Sequence, residues 1–215
     1  MDMNKIFSKV FLWMFVGLVV TFGIAYYVSM NENMIYNLFS GHKYMIILIL
    51  EIVIAIVLSA RIHKLNPITA KLLFLLYAGL TGLTFSTIFI VYELTSIMYI
   101  FGLTSILFLI FGLIGYFTKI DLTKFGIYFV MALLGIIIVS FINIFVGSQV
   151  LDLGLCAIGI ILFLGFIAYD IQIIKRNLYG LDNEENFAII GAFELYLDFI
   201  NLFIKLLRLF GKRRD

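Results

Sequence analysis

Long apolar stretches separated by short polar breaks run the length of this chain, and their lengths set the first reading. A bilayer core is crossed by about 20 apolar helical residues. Stretches of that kind cover residues 10–30, 44–60, 70–91, 94–117, 125–146, 150–174 and 187–210. Lipid offers no partner for an open backbone N–H or C=O, so each stretch is expected to be a helix. The pattern predicts an all-α integral membrane protein. One transmembrane domain over residues 1–215 would hold seven spans.

The last span departs from the others. Within ELYLDFINLFIKLLRLFGKRRD, the polar residues Glu194, Asp198, Asn201, Lys205 and Arg208 are spaced 4, 3, 4 and 3 apart. At about 100° per residue they share an arc of about 80° on a helix. A polar stripe on an apolar cylinder has to face protein or water rather than lipid.

Composition agrees with the membrane reading. The chain is 64% hydrophobic and 13% charged, where soluble domains carry about a quarter charged residues. A net charge of +2 gives no ground for nucleic acid as a partner. The single cysteine, Cys156, excludes an internal disulfide, and no Cys/His spacing suggests zinc. His42 and His63 fall in expected loops. Pro67, the only proline, is placed in the loop before the third span. Glycines inside the spans, among them Gly82, Gly115, Gly135, Gly159 and Gly165, are expected to mark close helix packing.

The basic residues set an orientation. With the N-terminus in the cytoplasm, Lys5, Lys9, Arg61, Lys64, Lys71, Lys119, Lys124, Lys175 and Arg176 all fall on the cytoplasmic side, and the opposite loops hold only Lys43. That is the positive-inside bias. The tail Lys212-Arg213-Arg214 opposes it, because seven spans put the C-terminus outside. A re-entrant last segment would resolve the conflict; a true seventh span is the reading adopted.

Four carboxylates remain at membrane depth: Glu51, Asp170, Glu194 and Asp198. Each costs at least about 2.5–3.5 kcal/mol at the bilayer centre, so each should face a partner or a water-filled path. The sixth span runs inward and the seventh outward. Asp170 and Asp198 therefore fall in the cytoplasmic half, where Arg61 ends the second span. Two carboxylates brought together at low dielectric cannot both ionise cheaply and would share a proton. Ionised, they offer hard oxygen ligands suited to Ca²⁺, although two carboxylates leave its shell incomplete. A nearby guanidinium would compete for them.

FIAYDIQIIKRN at the end of the sixth span, ELYLDFINLFIKLLRLFG in the seventh and LEIVIAIVLSARIHK in the second resemble the transmembrane Bax inhibitor motif family, in particular its small bacterial calcium-leak members. The resemblance covers essentially the whole chain. It implies a seven-helix bundle with the C-terminal helix central, in a bacterial inner membrane. It implies a pH-dependent Ca²⁺ leak gated by two aspartates, here Asp170 and Asp198, with Arg61 as the arginine latch. Glu51, Glu194 and Asn201 are expected to line the path. Ca²⁺ and protons are the expected partners besides the bilayer, no cofactor is expected, and the reading is compatible with a monomer while leaving the oligomeric state open.

Other readings stand beside it. A non-conducting scaffold or regulator of stress or cell death fits the same family. A di-aspartyl intramembrane protease would use Tyr169-Asp170, but Leu195, Tyr196 and Leu197 replace the glycines expected before its second aspartate. A retinal protein would need Lys205 as its Schiff base, with only Trp13 to wall the chromophore. No enzymatic activity is expected.

Overall fold

In the computed structural model, residues 3–61, 65–176 and 184–214 are described. They form α1 (Met3–Ser29), α2 (Glu32–Phe39), α3 (Lys43–Arg61), α4 (Pro67–Val91), α5 (Leu94–Phe117), α6 (Gly126–Val146), α7 (Gln149–Arg176) and α8 (Glu184–Phe210). Seven of these helices, all but α2, are long and apolar enough to span a membrane. Among the described residues the only extended pairing is an isolated bridge between Tyr92 and Arg213. The protein is an all-α multi-pass membrane bundle.

The ends of the helices refine the sequence reading. α4 begins at Pro67 rather than at residue 70, because Asn66 caps it by accepting from the Ile68 amide at 3.0 Å. Proline suits a first helical position, where its missing N–H would have had no intrahelical partner. α2 occupies a segment read as loop. Its eight residues are too short for a span, but Asn31 accepts from the Met34 amide and Glu32 sits in the first turn, both favourable to a helix start. α6 ends at Gly147, whose φ of 67° belongs to the left-handed region that glycine tolerates.

The chain forms two compact units. The first comprises residues 1–93, 179–196 and 213–215; the second comprises 94–178 and 197–212. α8 thus gives its first half to one unit and its second half to the other.

In the first unit α1 and α3 pack on α4. Close approach of α1 and α4 requires Gly82, where a Cβ would lie 2.8 Å from the Thr21 carbonyl oxygen. The centre is aromatic. Phe74, fully buried, meets Phe193 edge-on at 6.2 Å and Tyr196 at 5.6 Å. The Thr21 hydroxyl donates to the Ala78 carbonyl at 2.9 Å. Its single proton is thereby committed, so in its 2.6 Å contact with Tyr196 the phenol donates.

In the second unit α5 and α6 pack on α7. Gly115 of α5 lies against the backbone of α7, where a Cβ would overlap the carbonyl oxygen of Ala168. Gly159 accommodates the Lys205 stem and Gly165 the Phe129 ring. Gly135 departs from the packing expectation: a Cβ there would meet nothing within 4 Å. Burial separates the spans clearly. In the most apolar stretch of α8, 72% of residues are buried, against 6% for α6. α8 is thus the most buried of the seven spans and α6 the least.

Candidate functional site

α7 and α8 run antiparallel in the second unit, and their polar residues meet in register. Asp152 meets Arg208, Gly159 meets the stem of Lys205, and Asp170 meets Asp198. At the first crossing the Arg208 Nη2 donates to both oxygens of Asp152, at 2.5 and 2.6 Å. At the last crossing the Asp170 and Asp198 carboxyls are neighbours. Asp198 is 5% exposed and Asp170 is half-buried. Two carboxyls brought together at low dielectric cannot both ionise cheaply, so such a pair would share a proton.

The neighbours of the pair fix α7 firmly. Ile167 and Ile171 are buried beside Asp170. Gln172, 4% exposed, accepts from the Leu122 amide and donates to the Ile120 carbonyl, both at 2.8 Å. Lys175 donates to the Tyr116 carbonyl at 2.7 Å and lies 4.3 Å from the centre of that ring. Arg176 pairs with Asp121. The Thr123 hydroxyl donates to Asp121 at 2.6 Å; chiefly through this bond, and then through the Thr123 amide and Arg176, the Asp121 carboxyl is held below its ordinary range. Both cations that follow Asp170 on α7 are therefore engaged away from the aspartate pair.

Replacing Gln172 by leucine keeps the volume and strands one amide and one carbonyl. It should cost roughly 1–2 kcal/mol and speed amide exchange at Leu122, as read by thermal unfolding in detergent and by hydrogen exchange. Unchanged stability and exchange would show that water replaces the side chain.

Asn201 is half-buried in the second unit and donates to the Leu197 carbonyl one turn back on its own helix, at 2.8 Å. Glu194 is half-buried in the first unit. Glu51, also in the first unit and half-buried, stands 3.3 Å from the Thr84 hydroxyl. That hydroxyl donates to the Thr81 carbonyl at 2.9 Å. Arg61 is the last residue of α3, and its side chain lies outside the described residues. Lys71, expected at a span end, pairs with Glu185 at 2.7 Å. Cys156 is free and buried.

Sequence reasoning missed the Asp152–Arg208 pair and the Gln172 anchor. The signal for the first was present, since the antiparallel register that joins Asp170 to Asp198 also brings the far ends of the two helices together. Among the described residues no group of three or more His, Cys, Asp and Glu could hold a metal ion. A cation at the aspartates would draw its remaining ligands from backbone carbonyls or water.

These features define a multi-pass α-helical membrane protein with two aspartates brought together between spans. The chain belongs to the Bax inhibitor family: the model for "Inhibitor of apoptosis-promoting Bax1" matches residues 3–215. It is similar to the inner membrane protein YbhL of Escherichia coli K12, with 42% identity over 96% of this chain and 91% of that protein. An uncharacterized protein of Rickettsia prowazekii is 39% identical over 99% of this chain and 92% of its own length. An uncharacterized membrane protein of Streptococcus pyogenes serotype M3 is 33% identical over 98% and 93%.

Proposed function

We propose that this protein is a pH-sensitive calcium leak channel of a bacterial inner membrane, with its N-terminus in the cytoplasm and the Asp170–Asp198 pair as its gate. The observation that carries the reading is the juxtaposition of the Asp170 and Asp198 carboxyls between α7 and α8. With one proton shared, the pair ties the two helices together and has little attraction for a cation. Loss of that proton leaves two anions in contact, which repel each other and present hard oxygens to a divalent ion. Cation occupancy therefore rises as pH rises through the titration of the pair and falls as it drops. The two acids titrate as a unit rather than singly. The bacterial relatives, one of them named as an inner membrane protein, support the membrane assigned.

The test is Ca²⁺ flux into proteoliposomes across about pH 6 to about pH 8. Wild type should conduct with a clear pH response. Asp170→Asn and Asp198→Asn keep the shape and a hydrogen bond but remove one anion, so each should flatten that response. Flux and pH response surviving both substitutions would overturn the gate. Flux no greater than through empty liposomes would point to a non-conducting scaffold.

A further inference from the structure

A cleft of about 570 Å³ opens in the first unit where α1 and α4 end. Its walls include Glu32, Ile35, Tyr36 and Phe39 of the α2 region, Ile90 of α4, and Arg214 from the C-terminal tail. The volume falls within the range of about 300–1,000 Å³ common for small-molecule sites.

Three observations say what would enter it. The first is depth. The candidate spans of α1 and α4 end at Ser29 and Val91, so the cleft sits at the membrane boundary. α2 beside it buries none of its residues and leaves Met34, Tyr36 and Phe39 exposed, as a helix lying in the headgroup layer would. The second is anchoring. The Arg214 amide donates to the Val91 carbonyl at 2.9 Å, and Arg213 bridges to Tyr92; both hold the tail backbone at the cleft. The third is charge. One carboxylate and one guanidinium line the same space, yet among the described residues no ion pair joins Glu32 to Arg214.

We infer that this cleft binds a phospholipid with a zwitterionic, primary-amine headgroup: a phosphatidylethanolamine. Its phosphate is received by Arg214, whose planar donors match phosphate oxygens in pairs. Its ammonium is received by Glu32, and Ile35, Phe39 and Ile90 flank the start of the acyl chains. A primary ammonium donates three hydrogen bonds to carboxylate and hydroxyl oxygens. A trimethylammonium donates none, and an uncharged glycerol headgroup leaves the carboxylate facing phosphate without a cation between them. The site therefore discriminates among headgroups of equal chain length.

The experiment is native mass spectrometry of the full-length protein released from micelles doped with matched-chain phosphatidylethanolamine, phosphatidylcholine or phosphatidylglycerol. Wild type should retain phosphatidylethanolamine about tenfold more than either competitor, the factor that corresponds to about 1.4 kcal/mol. Glu32→Gln should abolish the preference over phosphatidylcholine while leaving some binding. Arg214→Gln should weaken retention of all three, and Arg214→Lys should recover part of it. Both residues are exposed, so thermal unfolding of the variants should match wild type. Equal retention of the three lipids by wild type, or a preference unchanged in both neutralised variants, would mean annular lipid only and would overturn the site.

Discussion

Replacing Gly115 by alanine will destabilise the protein, while the same replacement at Gly102 on the same helix will not. Both glycines lie inside α5. In isolation Gly→Ala favours a helix by about 0.8–1.0 kcal/mol, so a purely local account predicts stabilisation at both. Surroundings divide them. A Cβ at Gly102 meets nothing within 4 Å, whereas at Gly115 it overlaps the oxygen, Cα and carbonyl carbon of Ala168. Those atoms are backbone and cannot rotate away, so α5 and α7 must separate. Overpacking of this kind costs about 1–3 kcal/mol, which outweighs the helix preference; Gly115→Leu should cost more still. Ala168 precedes Asp170 by two residues, so the displacement also moves the carboxyl pair. Thermal unfolding in detergent should rank Gly102→Ala at or above wild type, then Gly115→Ala, then Gly115→Leu. If Gly115→Ala matches Gly102→Ala, the close contact between α5 and α7 is not made as described.

The contrast between these two glycines shows where sequence reading stops. Small residues inside a span suggest close packing, and Gly82, Gly115, Gly159 and Gly165 do pack closely, but Gly102 and Gly135 face open space. Nothing in the one-dimensional pattern separates the two groups, because the difference lies in which helix comes near. The spans were legible for the opposite reason. Every residue of a crossing must tolerate lipid or a partner, so about 20 positions carry one signal together. α2 carried only eight and was lost among loop residues, although Asn31 and Glu32 announced its start.

The meeting of Asp170 with Asp198 was legible because two facts converged on it. Carboxylates at depth need partners, and alternate spans run in opposite directions, which fixes their depth without any knowledge of packing. Depth alone could not assign the partners of Glu51 and Glu194, since it says nothing about which face of a helix meets which neighbour. The same limit hid the Asp152–Arg208 pair. Arg208 was read only as a member of the polar stripe, and in the structure it grips a carboxylate on the adjacent helix.

Truncating Phe74 to alanine should produce a loss of comparable size in the first unit, and a second substitution should reveal its cause. Phe74 is fully buried between Phe193, Tyr196 and α1. In soluble cores Phe→Ala costs about 3–5 kcal/mol, part of it transfer from water and part the cavity left behind. Helices that separate in a bilayer exchange protein for lipid rather than for water, so most of the transfer part vanishes. The lost packing remains, and the expected cost is roughly 2–3 kcal/mol. Phe145→Ala, at a position 77% exposed, should cost almost nothing. The deciding variant is Gly17→Ala. In wild type its new methyl would stand 2.5 Å from the Phe74 Cζ, so alone it should destabilise by about 1–2 kcal/mol. In the Phe74→Ala background the same methyl enters the vacated space and should be neutral or stabilising. Unfolding free energies in mixed micelles should therefore give a double-mutant coupling of at least about 1 kcal/mol. Additive losses would mean that α1 and α4 repack around the truncation, and that the aromatic centre of the first unit is not rigid.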